Sequence, residues 1–71
     1  MRYFFHLVEG KNIIRDDMGL EVDDPAQLLP EAVKALEELR KEKPDWVSRS
    51  QGWRMDVTDE SGTVLFSLAL D

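Results

Sequence analysis

Trp53-Arg54-Met55-Asp56-Val57-Thr58-Asp59-Glu60-Ser61-Gly62-Thr63-Val64-Leu65-Phe66-Ser67-Leu68 is the stretch that decides the fold. Trp53, Met55 and Val57 alternate with Arg54, Asp56 and Thr58, which is the period of a strand with one buried side. Asp59-Glu60-Ser61-Gly62 then supplies turn chemistry closing on glycine, so the segment reads as a hairpin. Two registers compete. A three-residue loop pairs Asp59 with Thr63 and sets Met55 opposite Ser67; a four-residue loop pairs Thr58 with Thr63 and sets Val57, Met55 and Trp53 opposite Val64, Phe66 and Leu68. The second is expected, because a one-residue slip splits the apolar set between the two faces.

A matching unit stands at the other end of the chain. Arg2-Tyr3-Phe4-Phe5-His6-Leu7-Val8 is almost wholly aromatic or aliphatic, and Gly10-Lys11 is a two-residue turn with glycine first, leading into Asn12-Ile13-Ile14-Arg15. Pairing Glu9 with Asn12 places Leu7 opposite Ile14 and Val8 opposite Ile13. Phe5, Leu7 and Ile14 then share one face, and Phe4, His6, Val8 and Ile13 the other. Asp16-Asp17-Met18-Gly19 is a further turn signal, followed by a short extended piece over Leu20-Glu21-Val22.

Between the hairpins lies one helix. Asp24 is its N-cap, Pro25 its first helical residue and Gln27 a capping-box partner. Ala26, Leu29, Val33, Leu36 and Leu39 recur at helical spacing. Pro30 lacks an amide hydrogen and crowds the preceding carbonyls, so either a kink or a short first turn followed by a helix from Pro30 to about Lys43 is expected. Arg40, Lys41 and Lys43 suit the negative end of the helix dipole, and Pro44 ends it.

The expected architecture is therefore a single α+β domain over residues 1–71, a ββαββ plan in which a four-stranded antiparallel sheet carries one helix on one face. Phe5, Leu7, Ile14, Met55, Val57, Val64, Phe66 and Leu68 are expected to meet Leu29, Val33, Leu36 and Leu39 in the core. One helix covers one side of a sheet. The other side is expected to carry Phe4, His6, Val8, Ile13, Arg54 and Leu65, a partly apolar surface that marks an interaction site. The loop 45–52, with Trp46 and Val47, is the competing cover for it.

Composition narrows the function classes. With 71 residues, a lone core rarely supplies more than about 3 to 5 kcal/mol, and comparable domains add disulfides, a metal or a partner. There is no cysteine, so disulfides, thiolate zinc sites and cysteine nucleophiles are ruled out, and a homodimer or another protein partner is left as the stabiliser. The apolar opening ends at Glu9-Gly10-Lys11, too short for a signal-peptide core or a membrane span, and a cytoplasmic protein is expected. A net charge of −6 argues against general nucleic-acid binding.

The candidate chemistry is sparse. His6 is the only imidazole, and no serine or acid is placed by sequence to form a triad with it; the expected role is a bond across the sheet near Arg15 or a place in an interface where its protonation tunes association. Asp16, Asp17, Glu21, Asp23 and Asp24 form an acidic cluster without the spacing of a calcium loop, and turn formation and capping account for them. Arg40, Lys41, Lys43, Arg49 and Arg54 lie near Trp46 and Trp53, a combination that binds single-stranded nucleic acid elsewhere, but Glu42 and Asp45 interrupt it. Isolated glycines give no phosphate loop. No enzyme, cofactor, metal or small-molecule ligand is expected.

Three motifs carry a family resemblance: Arg2-Tyr3-Phe4-Phe5-His6-Leu7, Ile14-Arg15-Asp16-Asp17-Met18-Gly19, and Val57-Thr58-Asp59-Glu60-Ser61-Gly62 with an apolar strand after it. In order and spacing they resemble the small bacterial proteins grouped as domain of unknown function 6894, over nearly the whole chain. Pro30 and residues 43–51 depart from that family's alanine-rich helix. The resemblance implies no activity, cofactor or catalytic residue. The ββαββ plan is also similar to antitoxin domains that neutralise RNA-cleaving toxins, usually with a separate DNA-binding part that does not fit in this chain. The uncovered sheet face and the absent chemistry make a non-enzymatic interaction module the expected function, with a small regulatory domain using the basic 40–54 segment as the alternative.

Overall fold

The computed structural model describes residues 1–42 and 52–70. Its elements in chain order are β1 (Arg2–Glu9), β2 (Asn12–Ile14), β3 (Leu20–Glu21), a 3-10 turn (Pro25–Gln27), α1 (Leu28–Glu42), β4 (Arg54–Thr58) and β5 (Val64–Ala69). The sheet is antiparallel, in the order β2-β1-β4-β5, with β3 added as a fifth strand beside β1. The α+β reading and the two hairpins around one helix hold. The fifth strand is the two-residue piece anticipated after Gly19, pairing Arg2 with Glu21 and Tyr3 with Leu20.

The first hairpin has the expected register, Glu9 with Asn12, Val8 with Ile13 and Leu7 with Ile14. The second does not. The Asp59 N–H donates to the Thr63 carbonyl at 3.1 Å and the Gly62 N–H to the Asp59 carbonyl at 3.1 Å, so the loop is the shorter one and Thr58 pairs with Val64. Asp59 decides this: its Oδ1 accepts from the amides of Ser61 and Thr63, both at 3.0 Å, and from the Ser61 hydroxyl at 2.7 Å, while Gly62 takes φ +88°. A bulge opposite the Val57–Thr58 step then leaves Leu65 unpaired and sets Val57 opposite Phe66 and Met55 opposite Leu68, in place of the expected Val64 and Phe66. The apolar set still meets apolar partners, through an extra residue in the strand rather than through loop length. Val64, expected in the core, is exposed as a result.

α1 also presents a different stripe. Leu28, Ala32 and Leu36 are buried and Ala35 and Leu39 pack beside them, whereas Leu29 is 51 % and Val33 40 % exposed. Both stripes share Leu36 and Leu39, and periodicity alone favours neither. Ala32, with no exposed surface, lets the helix approach the sheet closely, and Tyr3, Val22, Met55, Val57 and Leu70 complete the core. Ile14, on the short edge strand β2, is exposed as well.

Asp24 caps the 3-10 turn, its Oδ1 accepting from the Ala26 N–H at 3.0 Å. α1 begins at Leu28, which places Pro30 in its first turn, where amide hydrogens have no helical partner to lose. The expected short turn before the main helix is present, and that helix starts two residues ahead of the proline. Among the described residues no helix is long and apolar enough to cross a membrane.

Candidate functional site

The face of the sheet opposite α1 takes every second residue of the central strands: Phe4, His6 and Val8 from β1, Arg54, Asp56 and Thr58 from β4. The register aligns Phe4 with Thr58, His6 with Asp56 and Val8 with Arg54. On β5, Ser67 lies opposite Asp56 and Ala69 opposite Arg54, and Leu65 shares their side by alternation. The six residues expected there are therefore on one surface, but they are not equally available. Ile13 is 51 % and Leu65 46 % exposed, Arg54 is exposed, Phe4 and His6 are half-buried, and Val8 is only 7 % exposed.

The centre of this face is a polar network. The Asp56 Oδ1 accepts from Arg54 Nε at 2.8 Å and from the Ser67 hydroxyl at 2.7 Å. Burial opposes its charge, but the hydrogen bonds from Ser67 and Arg54 and the Arg54 guanidinium outweigh burial and hold the carboxyl below the ordinary carboxylate range. Thr58 is buried and its hydroxyl lies 3.3 Å from His6 Nε2. The Phe4 ring runs parallel to the imidazole, with centroids 6.1 Å apart.

His6 is tied to the segment after β2. The Asp16 N–H donates to His6 Nδ1 at 3.0 Å, next to Arg15 as anticipated. Asp16 also repairs the sheet: between β2 and β3 no strand pairs with the middle of β1, and the Asp16 carboxylate fills the gap by accepting the Phe5 N–H at 3.1 Å. Its other oxygen accepts the amides of Met18 and Gly19, both at 3.1 Å, which closes the turn. Gly19 sits at φ +70° so close to β1 that a Cβ there would lie 2.9 Å from the Tyr3 carbonyl oxygen.

This arrangement has a chemical consequence. With Nδ1 accepting an amide, the ring proton is on Nε2 and faces Thr58, the reverse of what a base needs to take a hydroxyl proton. Nor does the acidic cluster gather. Asp16 is saturated by amides, Asp24 caps a helix, and among the described residues no three acidic or imidazole side chains converge on a point that could hold a metal. Of the basic segment, Arg40 donates to the Leu70 carbonyl at 3.2 Å and Arg54 to Asp56; Lys43, Arg49 and the loop with Trp46 and Val47 lie outside the described residues.

Thr58, Ser67 and the Asp16 plug escaped the sequence reading. Thr58 and Ser67 do follow the same alternation as Asp56, so their face was readable; their bonds depend on which strands lie side by side. No curated protein and no solved structure matches the chain. A family model described as Domain of unknown function (DUF6894) matches residues 2–71, and the chain belongs to that family.

Proposed function

We propose that the domain is a non-enzymatic protein–protein interaction module that self-associates through the open face of its sheet. The observation that carries this reading is the make-up of that face: Phe4, Ile13 and Leu65 surround a polar centre whose groups have their hydrogen-bond partners inside the chain. A second surface can cover such a centre without orphaning a polar atom, and the apolar rim gains by being covered. No buried side-chain nitrogen or oxygen among the described residues lacks a partner.

Light scattering over a range of concentrations is expected to give a mass rising to that of two chains or more. A strictly monomeric mass throughout overturns self-association. Capture from native lysate with wild type, Phe4→Asp and Leu65→Asp distinguishes the remaining readings. Protein retained by wild type and lost in both variants supports a face that binds another protein. RNA or DNA retained by all three replaces the interaction module with the regulatory alternative.

A further inference from the structure

β5 ends the strand order, and among the described residues nothing pairs with its outer side. The direction of its free groups follows from the ladder. The Leu70 N–H donates inward to the Trp53 carbonyl at 3.1 Å, so residues 68 and 66 also bond inward, and Ser67 and Ala69 aim their amides and carbonyls outward. An exposed row of this kind templates another strand unless it is blunted by charge, proline or distortion. Residues 63–70 contain no charged residue and no proline, and the bulge at Leu65 sits at the turn end, leaving 66–69 regular. At the opposite edge the gap beside β1 is plugged by the Asp16 carboxylate.

We propose that β5 takes the β5 strand of a second copy of this chain, antiparallel, about a two-fold axis at Ser67. The strand is its own complement in that register. A two-fold axis perpendicular to the sheet keeps each face on its own side, so paired residues must share a face. With the axis at Ser67, the two Ser67 residues exchange both backbone hydrogen bonds. Phe66 then meets the partner's Leu68 on the helix side, and Leu65 meets the partner's Ala69 on the open side, each contact occurring twice. An axis at Phe66 would set Leu65 against Ser67. The result is one continuous sheet with both open faces on the same side, so the edge contact leaves the face available. The inference rests on self-association, and it is separable from association through the face.

Three measurements on the full chain test it. Hydrogen exchange of the Ser67 and Ala69 amides, which point to solvent in the monomer, should slow as concentration rises. Ala69→Pro removes an outward donor without breaking a bond to β4, so the monomer should fold while dissociation becomes at least about tenfold easier; Phe4→Asp should leave the edge contact in place. Ser67→Cys introduces the only thiol in the chain, and a hydrogen-bonded pair sets its Cα atoms about 5.5 Å apart, within disulfide range, so oxidation should link two chains while Lys11→Cys stays single. Fast exchange at residues 67 and 69 in a sample that is dimeric by mass, or a dimer lost in Phe4→Asp and kept in Ala69→Pro, overturns the edge contact and leaves self-association standing. A monomer at every concentration overturns both.

Discussion

On the helix side of the sheet, Met55, Val57 and Leu70 pack under Leu28, Ala32 and Leu36, an almost purely apolar layer. One residue further along the same strand, Asp56 and Thr58 are also buried, on the other side and among polar partners. The first layer needs only apolar groups of suitable volume, and its stability scales with the area removed from water. The second needs each donor to meet its acceptor, because a buried polar group without a partner costs about 1 to 3 kcal/mol. One side of the sheet therefore tolerates approximate matching and the other does not.

The helix side should show the largest effects. Leu36→Ala is expected to lose about 2 to 5 kcal/mol in denaturant unfolding, and Leu29→Ala no more than about 0.5 kcal/mol, since Leu29 is largely exposed. Equal losses from the two would mean that α1 is rotated away from burying Leu28, Ala32 and Leu36.

Asp16 comes next. Asp16→Ala removes the acceptor for three amides, those of Phe5, Met18 and Gly19, and should cost about 2 kcal/mol. Gly19→Ala should cost about 1 to 2 kcal/mol from the positive φ alone, with the Tyr3 carbonyl in the way besides. If both variants melt with wild type, the segment between β2 and β3 contributes nothing to the sheet.

The smallest effect sharpens the contrast between the faces. Asp56 has a folded-state pKa below its unfolded value near 3.9, so its contribution is fully present above that value and is lost as pH falls through the folded pKa. Asp56→Asn should cost about 1 kcal/mol at neutral pH, and the gap to wild type should begin to narrow below about pH 4 and close as pH falls through the folded pKa of Asp56. Asp59, whose carboxyl is held low by the Ser61 hydroxyl and then the Thr63 amide, gives the variant a residual acid dependence. An unchanged gap between variant and wild type at low pH would assign the loss to packing.

The helix side also shows what periodicity leaves open. Leu29 and Val33 fit the helical repeat as well as Leu28 and Ala32 do, and proximity to the sheet selects the pair with the smaller side chain. In the second hairpin the pattern required Met55 and Val57 to find apolar partners. It did not say whether the loop or a bulge would provide them, because both devices satisfy the same alternation. On the face opposite α1, Phe4, His6, Asp56 and Arg54 could be assigned to one side from their parity. That Thr58 meets His6 follows from β1 and β4 being neighbours, and that Ser67 meets Asp56 follows from the bulge that sets the register of β5 on β4.

From residues alone came the element types, the first hairpin's register, the Asp24 cap and the family, all set by properties that act within a few positions along the chain. The three-dimensional structure decided the strand order, the face of α1 that is buried, the bulge at Leu65 and the Asp16 plug in the sheet. Each of these depends on atoms far apart in sequence competing for one space or one hydrogen bond, and local pattern carries no record of which competitor prevails.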